Sequence, residues 1–260
     1  MTRISSLPGI GQCPGFALLR TAEDGSSAAA DNGSAAGRII ELWHRAGEHA
    51  TAFEEAAQTA MREASEKFPR ADMDQARTWA LQYANDPRNK GVVVADLCER
   101  EVRLSLPCAP EDPTGQPIEL VGHVDQIRRV RGQLRVWDTK SGKPGGLELL
   151  YSATLQIAAY ALASTATLGE PVLPGGVIRL RAWDTKRAQT EQANAFFEAP
   201  WTLDECRGLL DSSAFDIGLL RQGIIPLRPG THCQWCPGGA PNLCGARIDR
   251  IAEMPRSLTT

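Results

Sequence analysis

The stretch GHVDQIRRVRGQLRVWDTKSGKP, residues 122–144, decides how this chain is read. Gly132 marks a turn between two strand-like runs, 118–130 and 133–138. A hairpin at that turn brings Asp125, within the first run, and Asp138, at the end of the second, to one edge of a sheet. Lys140 lies two residues past Asp138, so in an extended chain its side chain emerges on the same face. Two carboxylates and a lysine meeting there make a hard-cation site with a positive group beside it. Mg²⁺ takes oxygen ligands and keeps several waters. A water acidified by the metal can attack a phosphodiester, and the lysine can position it or stabilise charge developing on the phosphate. WDTK recurs at 183–186 without the upstream Gly122-x-x-Asp125 or the downstream helix, so Asp184 and Lys186 read as strand-end surface residues.

Working outward, the N-terminal side is expected to be helical. Residues 1–20 begin irregularly, with a short helix after Pro14, and the Ser/Ala/Gly/Asp-rich segment 21–36 reads as a flexible linker. Ile40, Trp43, Ala50, Phe53 and Ala57 recur on one face of a helix predicted over 37–67 and ended by Pro69. A second helix is expected at 72–84, then a strand within 91–106. Downstream, residues 147–168 predict a helix with Leu150, Ala153, Ile157 and Tyr160 on one side. A strand at 175–184 follows, then a helix at 201–222 whose Thr202 and Glu205 form a capping box. The order implies an α/β protein with a mixed central β-sheet flanked by helices. One domain, 1–260, is expected: a helical part at 1–90, a core at 91–225 and a Cys-rich tail at 226–260.

Three short patterns occur in order: Gly122-x-x-Asp125, Asp138-x-Lys140-Ser-Gly142 and Gln156-x-x-x-Tyr160. Together they resemble the core of the PD-(D/E)XK nuclease superfamily in its RecB-like branch. The resemblance implies a restriction-endonuclease-like core and Mg²⁺- or Mn²⁺-dependent cleavage of DNA by an exonuclease acting on single strands or ends. It makes Asp125 and Asp138 metal ligands and Lys140 the catalytic lysine. It puts Gln156 and Tyr160 one helical turn apart beside the site, where they contact DNA or orient the lysine. RecB-like nucleases add a histidine ligand in a G-x-x-x-H pattern. Here Glu41 stands four residues after Gly37 and His44 one turn further on, so either completes the metal site. Glu99 or Glu101 precedes a strand where the family often carries a glutamate. Recombination, repair and CRISPR adaptation are the implied settings, with a helicase, recombination or adaptation protein as partner.

The seven cysteines are odd in number, which argues against a disulfide framework and for a metal or cluster reading. Cys233 and Cys236 have C-x-x-C spacing and Cys244 follows. A fourth ligand is needed, and Cys13 is the candidate, with His232 the alternative that favours zinc. Four thiolates suit zinc or an iron–sulfur cluster. CRISPR-associated four-cysteine nucleases and the nuclease domains of helicase–nuclease complexes carry one N-terminal and three C-terminal cysteines on a [4Fe–4S] cluster. That similarity implies a cluster on Cys13, Cys233, Cys236 and Cys244 that staples the two ends of the chain.

The net charge of −3 sets the chain apart from nucleic-acid binders that are basic throughout, so any basic groove is confined to one face. Arg128, Arg129, Arg131 and Arg135 cluster in sequence and read either as part of such a groove or as solvated strand ends. No apolar run approaches the roughly 20 residues needed to span a bilayer, and the opening MTRISSLPGIGQCPGF lacks the apolar core of a signal peptide, so no membrane association and a cytoplasmic location are expected. No G-x-x-x-x-G-K-[ST] occurs, so ATP-driven unwinding falls to a partner.

Overall fold

The computed structural model describes residues 2–13, 28–108, 112, 114–141, 150, 153–183 and 195–224. A two-residue strand β1 (Thr2–Arg3), a 3-10 turn and helix α1 (Leu7–Gln12) open the chain where an irregular start was expected. Helix α2 (Ala28–Arg45) then begins well inside the segment read as a linker. The polar residues of its first turns have tertiary partners: Asp31 accepts from the Arg70 amide at 3.0 Å and Asn32 from the Asp72 amide at 2.7 Å. The helix predicted over 37–67 is two helices. Gly47 and Glu48 both take positive φ, and His49 caps α3 (Ala50–Lys67) by accepting from the Ala52 amide. Helix α4 (Met73–Asn85) starts on an Asp72 cap, as its sequence signals.

Strand β2 (Arg100–Leu106) is shorter than the 91–106 run, and a 3-10 turn at Ala95–Leu97 precedes it. The single strand expected at 118–130 is broken at Asp125 into β3 (Ile118–Val124) and β4 (Gln126–Val130). β5 (Gln133–Lys140) pairs antiparallel with β4. Helix α5 (Thr154–Leu168), strand β6 (Val172–Arg179), strand β7 (Phe196–Glu198) and helix α6 (Leu203–Arg221) complete the described fold, and the Thr202–Glu205 capping box is present. Residues 180–183 form a 3-10 turn, and the second WDTK's Asp184 and Lys186 lie outside the described residues. So do Pro14 and the helix expected after it, and Cys233, Cys236 and Cys244 with the rest of the tail.

The break at Asp125 divides the strands into two mixed sheets, ordered β1-β3-β2 and β4-β5-β6-β7, where one central sheet was expected. One apolar cluster joins Val102, Leu120 and Ile127 to Leu134, Val136, Ile157 and Leu210, filling the space between the sheets and α5 and α6. A second cluster packs α2, α3 and α4 through Ile39, Trp43, Phe53 and Tyr83 against Trp137 and Ile178. Val136 and Trp137 are adjacent in β5 but face opposite clusters, as do Val177 and Ile178 in β6, so helices cover both faces of this sheet. Helix α5 is buried continuously from Gln156 to Ser164, not along one stripe, because it lies between the sheets and α1 and α6. No helix among the described residues is long and apolar enough to cross a membrane.

Between β5 and β6 the parallel register shifts at Val136/Trp137, leaving Gly175 as an extra residue just before Asp138. Gly176 takes φ 144°, and a Cβ there would run into the Phe197 carbonyl oxygen. Gly176→Ala is expected to destabilise the fold by roughly 2–3 kcal/mol, read as a fall of several degrees in the thermal midpoint.

Candidate active site

The carboxylates meet at the break between the two sheets. Asp125 leaves the strand conformation, and its Oδ2 accepts from the Thr139 amide at 2.6 Å. Asp138, only 3% exposed, projects from the neighbouring end of β5. Lys140 is on the same strand face, with Nζ 2.8 Å from Asp138 Oδ2 and 3.0 Å from Gln156 Oε1 on α5. The three residues singled out in the sequence, and Gln156, therefore converge as their spacing implied. Tyr160 follows one turn along α5, and its ring lies across Gly122. A Cβ at that glycine would approach Tyr160 Cε1 to 2.9 Å and Ile4 Cβ to 3.0 Å. The glycine three residues before the strand break is thus a seat for the tyrosine.

These side chains line a cleft of about 880 Å³ whose opposite wall is α2. Of the two α2 candidates, Glu41 faces this cleft and His44 does not line it. The Glu41 carboxylate is clamped by Arg38 at 2.8 Å and by Arg45 at 2.7 Å. His44 is 2% exposed, and both ring nitrogens are engaged, Nδ1 with Glu48 at 2.8 Å and Nε2 with the Tyr83 hydroxyl at 2.9 Å. Burial pulls the His44 pKa below its ordinary value against the opposing Glu48 carboxylate. Of Glu99 and Glu101, the first enters the cleft: Glu99 takes φ 50° and its amide donates to the Asp125 carbonyl at 3.3 Å. Glu101 is exposed on β2 and paired with Arg103. His123, for which no role was expected, is exposed at the cleft rim.

The electrostatics follow from crowding carboxylates in a poorly solvated place. Burial, then the charges of Asp138 and Glu99, push the Asp125 carboxyl well above its ordinary range. Burial and the Glu41 charge push Glu99 up to about 7. Burial works against the Lys140 ammonium, but the charges of Asp138 and Asp125 outweigh it and hold its pKa above the usual lysine value.

Behind the carboxylates lies a polar network that the sequence did not announce. Arg128, read as part of a basic groove or as a solvated strand end, is buried. Its guanidinium donates to Gln126 Oε1, the Tyr83 hydroxyl and Asn89 Oδ1, and stands 5.6 Å from the Trp137 ring centroid and 5.1 Å from that of Phe196. Gln126 in turn donates to the Thr139 hydroxyl at 3.5 Å, next to the amide that holds Asp125.

The donor set suits a hard divalent cation. It consists of carboxylate oxygens, and the mutual repulsion that adds to burial in raising Asp125 is what such an ion relieves. Among the described residues no three His, Cys, Asp or Glu side chains are gathered to enclose an ion. Mg²⁺ commonly takes only one or two carboxylates and fills its remaining positions with water and substrate phosphate. Cys13 is buried after α1, and the three cysteines expected to join it lie outside the described residues.

Over residues 5–240 the chain matches the family model of the PD-(D/E)XK nuclease superfamily. The chain belongs to that superfamily, whose members are typically metal-dependent hydrolases of nucleic acids. Its two mixed sheets flanked by helices are consistent with the restriction-endonuclease-like fold. No curated protein matches the chain.

His44→Ala is expected to cost about 2–4 kcal/mol, because it opens a cavity and strips the Tyr83 hydroxyl and Glu48 of a partner. Denaturant unfolding measures the loss.

Proposed function

We propose that the chain is a Mg²⁺- or Mn²⁺-dependent DNA nuclease in which Asp125 and Asp138 hold the cation and Lys140 is the catalytic lysine. The observation that carries this reading is the convergence of Asp125, Asp138 and Lys140 at the break between the two sheets, in a chain of a nuclease superfamily. Glu41 is the α2 residue we assign to the cation, since it lines the cleft with Asp125 and Asp138; its carboxylate would exchange Arg38 or Arg45 for the ion. Glu99 is a further carboxylate of the same site.

When bound, the cation supplies acidified water and withdraws charge from a phosphate. The chain's own residues do the rest. Asp138 and Gln156 hold the Lys140 ammonium between them, so its remaining donor can meet a phosphate oxygen or the attacking water. The Thr139 amide fixes the Asp125 carboxylate on one oxygen and leaves the other for the cation. Tyr160, seated on Gly122, borders the cleft where a nucleotide enters.

The finer reading follows the resemblance: an exonuclease acting on single strands or DNA ends in recombination, repair or CRISPR adaptation, beside a partner that unwinds or presents DNA. In the same reading Cys13 joins Cys233, Cys236 and Cys244 on a structural [4Fe–4S] cluster. Burial of Cys13 just after a short helix suits such a ligand.

End-labelled single- and double-stranded DNA incubated with the protein and Mn²⁺ tests the activity. Asp138→Asn and Lys140→Ala are each expected to lower cleavage at least about 10³-fold, given that positioned groups of this kind each contribute on the order of 10²–10⁴. Cleavage that survives in either variant removes the assignment. Glu41→Gln is expected to weaken Mn²⁺ binding in calorimetry while His44→Gln leaves it unchanged, and the reverse order would return the ligand role to His44. Anaerobically purified protein is expected to contain iron and acid-labile sulfide, both lost in Cys233→Ala. Zinc in their place would make the staple a zinc site.

A further inference from the structure

The Arg38 guanidinium stands in the wall of the cleft with more donors than partners. Its Nε and Nη2 form a bidentate pair with Glu63 on α3, 3.0 Å each, and its Nη1 donates to Glu41 at 2.8 Å. A guanidinium carries five N–H bonds, so one on each Nη is left without an acceptor among the described residues. The side chain is 23% exposed and lines the cleft together with Asp125, Asp138 and Lys140. Its partner Glu63 is itself held at 3.0 Å by Lys67, a further cation in the cleft lining. Neutralising Glu41 does not account for it: Arg45 already pairs with the other Glu41 oxygen and, unlike Arg38, does not line the cleft.

A cleft holding four carboxylates repels a polyanion unless fixed cations face it. The Lys140 ammonium already has Asp138 and Gln156 as partners. Arg38 keeps one N–H on each Nη to offer to phosphate oxygens, from a guanidinium that carries a permanent charge.

We infer that Arg38 is a phosphate-binding residue, its two spare N–H groups taking non-bridging oxygens of the nucleic-acid backbone in the cleft, with Glu63 as the positioning residue that presents it. The inference rests on the nuclease reading for the identity of the ligand. It divides the labour of the site: the carboxylates and Lys140 act at the reacting phosphate, while Arg38 holds the strand against the α2 wall.

The test is fluorescence anisotropy of a labelled oligothymidylate titrated with the full chain in Ca²⁺, over a range of salt concentrations, with wild type, Arg38→Ala and Arg38→Lys. Arg38→Ala is expected to weaken binding about tenfold and to flatten the dependence of log K on log salt by about 0.7, the contribution of one phosphate contact on a single strand. Arg38→Lys keeps the charge beside Glu41 and Glu63 and cannot make the fork, so it is expected to keep the salt slope and lose affinity. A purely structural arginine would move neither the slope nor the affinity of a folded variant. Wild-type affinity and slope in folded Arg38→Ala, or wild-type affinity in Arg38→Lys, overturns the inference. So does a wild-type chain that does not bind the oligonucleotide. Wild-type binding in Ca²⁺ with no cleavage in Mn²⁺ counts against the nuclease reading alone.

Discussion

The structure turns on one hydrogen bond, from the Thr139 amide to the Asp125 carboxylate. Asp125 sits where a single strand has split so that β3 pairs in one sheet and β4 in the other. At that split the main chain leaves the ladder, and a polar side chain has to satisfy the neighbouring strand. A carboxylate does so, but it brings a charge next to Asp138 and Glu99 in a place with little water. Such charges cost several kcal/mol each unless paired; here Lys140 pairs with Asp138, and Arg38 and Arg45 pair with the neighbouring Glu41. The site is therefore a cluster of carboxylates balanced by fixed cations, an arrangement that a divalent ion and a phosphate backbone can enter by exchanging partners.

Supporting elements are arranged to keep that cluster still. The extra Gly175 in β6 sets the register of Asp138, Gly122 accepts the Tyr160 ring, and α5 is buried on all sides so that Gln156 meets Lys140 at a fixed distance. On the other side His44, Tyr83, Gln126, Arg128 and Asn89 form a connected set of hydrogen bonds between the helices and β4. A buried arginine satisfied by neutral acceptors and two aromatic faces rigidifies the strand that begins at the break. His44 belongs to this support through its bond to Tyr83.

The sequence by itself determined the elements whose signals are local. The Gly132 turn put Asp125, just ahead of β4, next to the end of β5 that carries Asp138, the two-residue period put Lys140 beside Asp138, and the Asp72 and Thr202 caps marked two helix starts. It also determined the family, because Gly122, Asp125, Asp138, Lys140, Gln156 and Tyr160 fall in a spaced order that periodicity alone does not produce. Tertiary structure decided what depends on partners far along the chain. The segment read as a linker is helical because Asp31 and Asn32 find the amides of Arg70 and Asp72, about 40 residues away. The long helix is two because Gly47 and His49 break and recap it in a place where apolar periodicity runs on unchanged. The strand through Asp125 is split because β3 and β4 answer to different neighbours, and Arg128 is buried because Tyr83, Asn89 and Gln126 come together around it. The choice between Glu41 and His44 was equally open in sequence, since residues three apart share a helix face. What helical spacing does not encode is the set of partners each residue meets: Glu41 lines the main cleft between Arg38 and Arg45, while Tyr83 and Glu48 take both nitrogens of the histidine.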